Sequence, residues 1–221
     1  GGIDTCGYFT PKFEEVPASV EASIPAGGHL AGNRIGFDAG GSDRKVSAVV
    51  NGEVIHSEEV VWFPKTNEDP EYHYQGILDA MKTAASHMPR VDAIGVSSAG
   101  VYIDNKIMVA SLFLKVSDED FEKHVKNMYL DVAKELGENI PVEVANDGDV
   151  TALAGAMDLN DNNVLGVAMG TSEAVGYVDS EGNILYSSDG ITWETANIQI
   201  TNCESSDIVY ANDKYVIVGH N

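Results

Sequence analysis

Three short stretches hold residues whose types and spacing could do chemistry. The first is Asp38-Ala39-Gly40-Gly41-Ser42, between two β-rich runs. A turn built from two glycines and a hydroxyl lets backbone N–H groups approach an anion with no Cβ in the way, and Asp38 could hold Mg2+ through its water shell. The same residues also make an ordinary Gly-rich β-turn. The second is Asn146-Asp147, after the apolar run "PVEVA" and ahead of the small-residue segment "GDVTALAGAM". Asp147 there can face a cleft and accept a proton from an attacking hydroxyl, although Asn and Asp at such a place are also good helix caps. The third, Gly170-Thr171-Ser172, separates two more strand-like runs. Its amides and hydroxyls could cradle phosphate groups or simply close a tight hairpin.

The elements that must position these residues follow from periodicity and turn chemistry. Strands are predicted at 35–37, 46–50 and 53–63, the last two joined by Asn51-Gly52, because both central positions of a type I′ hairpin need positive φ. Asp69-Pro70 supplies a cap with Pro in the first turn, and Tyr74, Ile77, Leu78, Met81, Ala84, Ala85 and Met88 recur at helical spacing. "VDAIGVSSAG" reads as a fourth strand, buried and ending in small residues. Ser117 with Asp120 opens a second helix that puts Phe121, Val125, Met128, Tyr129, Val132 and Leu136 on one face and stops at Gly137. "PVEVAND" is a fifth strand.

The order βββαβαβα predicts an α/β fold. Its mixed five-stranded sheet has three antiparallel strands first, right-handed crossovers after them, and helices on both faces. A second strand pair then begins with "NVLGVAMG" and "TSEAVGYV", a "DSEGN" turn and "ILYSS".

Composition narrows the function. The chain has 221 residues, 43% of them hydrophobic, and a formal net charge of −22. So acidic a surface repels a nucleic-acid backbone, and a small anionic substrate needs local amides or a metal to offset the field. Cys6 and Cys203 are far apart and suit neither a disulfide framework nor a zinc site. No run approaches the roughly 18 apolar residues of a membrane span, so no membrane partner and a cytoplasmic location are expected. "GGSDRKVS" lacks the ending of a Walker A loop, "GVSSAG" is one residue too long for a serine-hydrolase elbow, and "DLNDNN" lacks the glycine and terminal Glu of a calcium loop.

In this order and on this frame, "GFDAGGSD" resembles the first phosphate loop of the actin/hexokinase/Hsp70 ATPase superfamily. "VANDGDVTALAGAM" resembles the Asn-Asp segment of the repressor/open-reading-frame/kinase (ROK) sugar kinases, and "GVAMGTSEAVGYV" their second phosphate loop. The likeness runs from about residue 34 to 184. It implies a ribonuclease-H-like lobe that transfers phosphate from ATP, with Mg2+, to a sugar hydroxyl. By that resemblance Asp147 is the general base, and Asp38, Gly40, Gly41, Ser42, Gly170, Thr171 and Ser172 bind the nucleotide phosphates and metal. Asn146 contacts a sugar hydroxyl, and Ser98 and Gly100 belong to the small-residue loop beside the sugar. Two departures stand out: Asp43 occupies a place where the family commonly carries Lys or another neutral-to-basic residue, and Ser172, Glu173 and Ala174 replace a Gly-rich spacing.

Residues 1–31, with Pro11, Pro17 and Pro25, read as an irregular arm, 32–157 as the first lobe, and 158–184 as the opening hairpin of a second lobe. Residues 185–221 resemble an Asp-box hairpin of a β-propeller blade, with Trp193, Tyr210 and Tyr215 as core candidates. The second lobe that a complete sugar kinase needs is not legible after Ile184. Two functions therefore stay open: a ROK-like sugar kinase, and a catalytically inactive binding or structural module. A carbohydrate adhesin is the third class. The tail is expected to pair with "EAVGYV", with homo-oligomerisation through that strand edge as the fallback.

Overall fold

Asn51 and Gly52 turn the chain with φ of 50° and 86°, the two positive values that a type I′ hairpin requires. The computed structural model describes residues 30–169 and 173–181, and further on the strand segments 184–186, 194–195, 204–211 and 214–220. Strands β1 (Asn33–Ala39), β2 (Asp43–Val50) and β3 (Glu53–Val61) form an antiparallel meander around that turn. Helix α1 (Pro70–Ser86) starts where Asp69 accepts a hydrogen bond from the Glu71 N–H, with Pro70 in the first turn. The chain then returns as β4 (Ala93–Ser98), parallel to β1.

Where the resemblance implies a small-residue loop at Gly100, a hairpin begins: β5 (Gly100–Ile103) and β6 (Lys106–Ala110). Asp104 and Asn105 turn it with φ of 52° and 61°. The second predicted helix is broken. Ser117 caps α2 (Asp118–Asp120) by accepting from the Asp120 N–H, a π-helical turn covers Phe121–Val125, and α3 (Met128–Leu136) completes the run. The buried face nevertheless survives the change of backbone, with Val125, Met128, Tyr129 and Val132 all inaccessible or nearly so. Strand β7 (Val142–Ala145) lies parallel to β4 and completes a five-stranded mixed sheet of order β3-β2-β1-β4-β7.

Alternation assigns the two faces of this sheet. Ile35, Phe37, Val46, Ala48, Ile94, Val96 and Val144 point to one side and pack with Ile77, Met81 and Ala84 of α1 and with Met128 and Val132 of α3. Burying each larger side chain here is worth about 1.5–3 kcal/mol. On the opposite face Gly36 and Gly95 are register partners, and a Cβ added to either meets nothing within 4 Å among the described residues. Helices are expected on both faces; among the described residues nothing covers the second face at these positions.

The next helix, α4 (Asp147–Leu159), packs mainly on the strand pair that follows, β8 (Val164–Met169) and β9 (Glu173–Val178). Glycines make the approach possible. A Cβ on Gly148 would lie 2.6 Å from the Val175 nitrogen, and one on Gly166 would overlap the Ala152 nitrogen. Strand β10 (Ile184–Tyr186) pairs with β9 and β11 (Glu194–Thr195) with β10, so the edge of "EAVGYV" is occupied from within the chain. Strands β12 (Glu204–Ala211) and β13 (Lys214–His220) form a two-stranded hairpin with Tyr210 opposite Tyr215. The Asp-box turn and Trp193 lie outside the described residues.

The two kinds of glycine should respond oppositely to a methyl group. Gly166→Ala is expected to lower unfolding free energy by about 1–3 kcal/mol, because backbone atoms of α4 stand in the way. Gly36→Ala is expected to be neutral or to stabilise by about 0.4–1 kcal/mol, since the site is open and the unfolded chain loses freedom. Urea denaturation of both variants checks the pair; equal losses would contradict this packing.

Candidate active site

Parallel register brings the first two chemical stretches together. Asp38 near the end of β1 is the partner of Ser97 on β4, and Ser97 is the partner of Ala145 on β7, two residues before Asp147. The Ser97 hydroxyl donates to Asp147 Oδ1 at 3.0 Å. It also stabilises the charged form of Asp38. Burial pushes the Asp38 carboxyl above the ordinary range, against the pull of Lys45 and Ser97 and with a push from Asp43. Burial likewise raises Asp147, with Ser97 opposing it and the Asp38 charge adding to it. Two carboxylates thus flank one hydroxyl, whose single proton is directed to Asp147, at the C-terminal ends of parallel strands, where open α/β sheets place their ligands.

Lys45 extends the row. It is the cross-strand partner of Asp38 and stands two residues from Asp43, so all three project from the face that carries Gly36 and Gly95. The first glycine turn lies at the end of this row. A Cβ on Gly40 would lie 2.6 Å from the Asp43 carbonyl oxygen, so the turn itself demands that glycine. The turn is held from behind: the buried Trp62 donates from its indole N–H to the Gly40 carbonyl at 2.8 Å, and its backbone N–H donates to the Ser42 carbonyl at 3.1 Å. Ser42 Oγ donates to Asp43 Oδ2 at 3.1 Å, and Gly41 is half-buried.

Asn146 serves as the cap that its residue type allows. Its Oδ1 accepts from the Gly148 N–H at 2.9 Å, and its Nδ2 donates to the Gly100 carbonyl at 2.9 Å, tying the start of α4 to the start of β5. Gly100 leaves no room for a Cβ, which would overlap the Val109 carbonyl oxygen. Ser98, expected beside the sugar, is instead fully buried and accepts from the Tyr129 hydroxyl at 3.2 Å. Pleat parity explains this correction: Ser98 follows Ile94 and Val96 to the core, and Ser97 takes the open side. Ser97 and Lys45 therefore join the candidate site, and no motif in the sequence singles them out. Gly170, Thr171 and Ser172 lie outside the described residues.

The donor set suits a hard cation. Among the described residues no cluster of three or more His, Cys, Asp or Glu side chains forms a metal cage. Mg2+ needs none, since it is usually held by one or two carboxylates together with water and substrate phosphates. Asp38 and Asp147 offer such oxygens, both destabilised as bare charges by burial.

No family model matches the sequence, and no curated protein sequence matches it. Among solved structures, the inorganic polyphosphate/ATP-glucomannokinase from Arthrobacter sp. strain KM aligns with a TM-score of 0.54 at 21% identity, over 71% of this chain and 62% of that one. Over the aligned part, the fold is shared with solved sugar kinases, ROK members among them. The ROK hexokinase from Thermus thermophilus aligns with a TM-score of 0.52 at 18% identity, over 69% of this chain and 47% of that one. A ROK family transcriptional regulator, a homologue of the E. coli MLC protein, gives 0.53 at 18% identity, over 71% and 38%. The match thus spans only about two fifths to three fifths of these proteins. One fold here carries both kinases and a regulator, so activity must be argued from the site. Among the described residues no helix is long and apolar enough to cross a membrane.

A third carboxylate completes the start of α4. Asp149 accepts from the Asn146 backbone N–H, while its Oδ1 is buried with no hydrogen-bond partner among the described residues, and burial pushes its pKa up to about 6. Its folded value lies above its ordinary value of 3.8, so the folded chain holds the extra proton between those two values and stability falls as pH rises through that window. Asp149→Asn should therefore gain on the parent by about 1–3 kcal/mol between pH 4 and 7. Chemical denaturation across that range checks it, and a difference independent of pH would refute the assignment.

Proposed function

We propose that this chain carries the catalytic half of an ATP- and Mg2+-dependent phosphotransferase acting on a sugar hydroxyl. The observation that supports it most is the 3.0 Å hydrogen bond from Ser97 to Asp147, beside Asp38, at the ends of β1, β4 and β7. A general base for a hydroxyl needs a fixed carboxylate with one free oxygen and a pKa lifted toward neutrality. Asp147 is half-buried, has Oδ1 engaged by Ser97, and is raised by desolvation and by Asp38. Its Oδ2 is the oxygen that takes the proton as the sugar oxygen bonds to phosphorus and the bond to the leaving phosphate breaks. Asp38 would hold Mg2+, which when bound offsets charge on the transferring group. The glycine turn at Gly40–Ser42 and residues 170–172 would bind phosphate oxygens.

Asn146 has a positioning part beside its expected contact with a sugar hydroxyl, for which its second amide N–H is left. With one bond from each end of its amide, to Gly148 and Gly100, it fixes where Asp147 stands. A second reading, a binding module without turnover, is favoured by the regulator that shares the fold. A small-molecule sugar is the ligand in both readings.

Asp147→Asn keeps the shape and cap geometry but removes the basic lone pair. Turnover of ATP-dependent sugar phosphorylation should fall by about 10²–10⁴-fold with nucleotide affinity little changed. Assay of parent and variant over a hexose panel, with titration of Mg-ATP, checks this. Equal turnover refutes the base assignment, and sugar binding without turnover in either form supports the binding module.

A further inference from the structure

The first glycine turn already contains an anion. Asp43 Oδ2 accepts from the Ser42 hydroxyl at 3.1 Å, and Oδ1 lies 3.3 Å from the point where a Gly40 Cβ would stand. The carboxylate is therefore folded into the concave side of the turn, with its side chain only 26% exposed. Lys45 Nζ stands 3.3 Å from the same Oδ1 while the lysine side chain stays 48% exposed. Both residues project from one side of β2, and Lys45 is opposite Asp38.

We propose that Asp43 and Lys45 form an internal gate on this turn: the carboxylate occupies the place of an incoming phosphate, and Lys45 is the cation that the phosphate must draw away from it. The ligand class is a polyphosphate chain, free or as the tail of a nucleotide. This rests on the reading of the turn as a phosphate site but not on turnover. An ion pair this exposed is weak, so the gate opens at little cost, whereas a like charge left beside a bound phosphate opposes binding directly. Divalent cation lowers that opposition, which makes the turn selective for metal-complexed phosphate chains. Lys45 has its ammonium form stabilised first by the hydrogen bond to Asp43 and then by that residue's charge, consistent with a cation held in reserve.

The test is calorimetric titration of the full chain with tripolyphosphate and with ATP, each with and without Mg2+. Asp43→Asn keeps an acceptor for Ser42 and removes the charge. It is expected to tighten tripolyphosphate binding about tenfold without Mg2+ and less with it, with the gain shrinking at high salt. Lys45→Met should weaken binding about tenfold and cancel the gain when combined with Asp43→Asn. Asp43→Ser is the second neutral variant, and melting curves verify that all forms fold. An affinity unchanged or weakened in both neutral variants overturns the gate, as does an absence of binding by every form. Gains confined to ATP place the effect on the nucleoside rather than the phosphate chain and also overturn it. Phosphorylation of sugar, measured on the same samples, reports separately on the phosphotransferase reading.

Discussion

The register of β4 against β1 is the constraint on which the rest depends. Pairing Phe37 with Val96 and Asp38 with Ser97 sends the first two side chains to the core and the second two to the open face. A slip of one residue would bury a carboxylate and expose a phenylalanine. Register is therefore held by the same apolar burial that stabilises the sheet, and the chemistry comes with it. The parallel step from β4 to β7 then delivers Asp147 to the Ser97 hydroxyl.

Around that line, backbone contacts do the positioning. Trp62 fixes the first turn from below by two hydrogen bonds, and Asn146 ties α4 to β5. Gly148, Gly166 and Gly176 let α4 sit directly on β8 and β9, so the helix that begins at Asp147 is held by the opening strands of the next sheet. The cost of this arrangement is electrostatic. Asp38, Asp147 and Asp149 are all pushed upward by burial, and a single serine and a single exposed lysine oppose it for the first two.

Much of this was legible in the sequence because local chemistry and fold agree. Asn51-Gly52, Asp69-Pro70 and Ser117 with Asp120 each carry their own mechanism and each forms the expected turn or cap. The β5–β6 hairpin has a signal of the same kind in Asp104-Asn105 between apolar runs, although the family resemblance implies a small-residue loop at its start. Ser97 and Ser98 cannot be told apart in a strand that the sequence marks only as buried and ending in small residues. Only the open side around Gly36 and Gly95 gives the strand a parity. Likewise, the role of Gly40 depends on where Asp43 folds back, which no linear pattern states. The break of the second helix into a π turn left its apolar face intact, so periodicity had nothing to register.

The central claim is that Asp38 and Asp147 form one coupled pair on either side of the Ser97 hydroxyl. Carboxyl-carbon NMR titration of the two aspartates in the parent and in Ser97→Ala tests it most directly. The account predicts that both titrate above the ordinary carboxylate range and that both move further up when the Ser97 hydroxyl is removed. Two independent titrations at ordinary values, unmoved by Ser97→Ala, would contradict it.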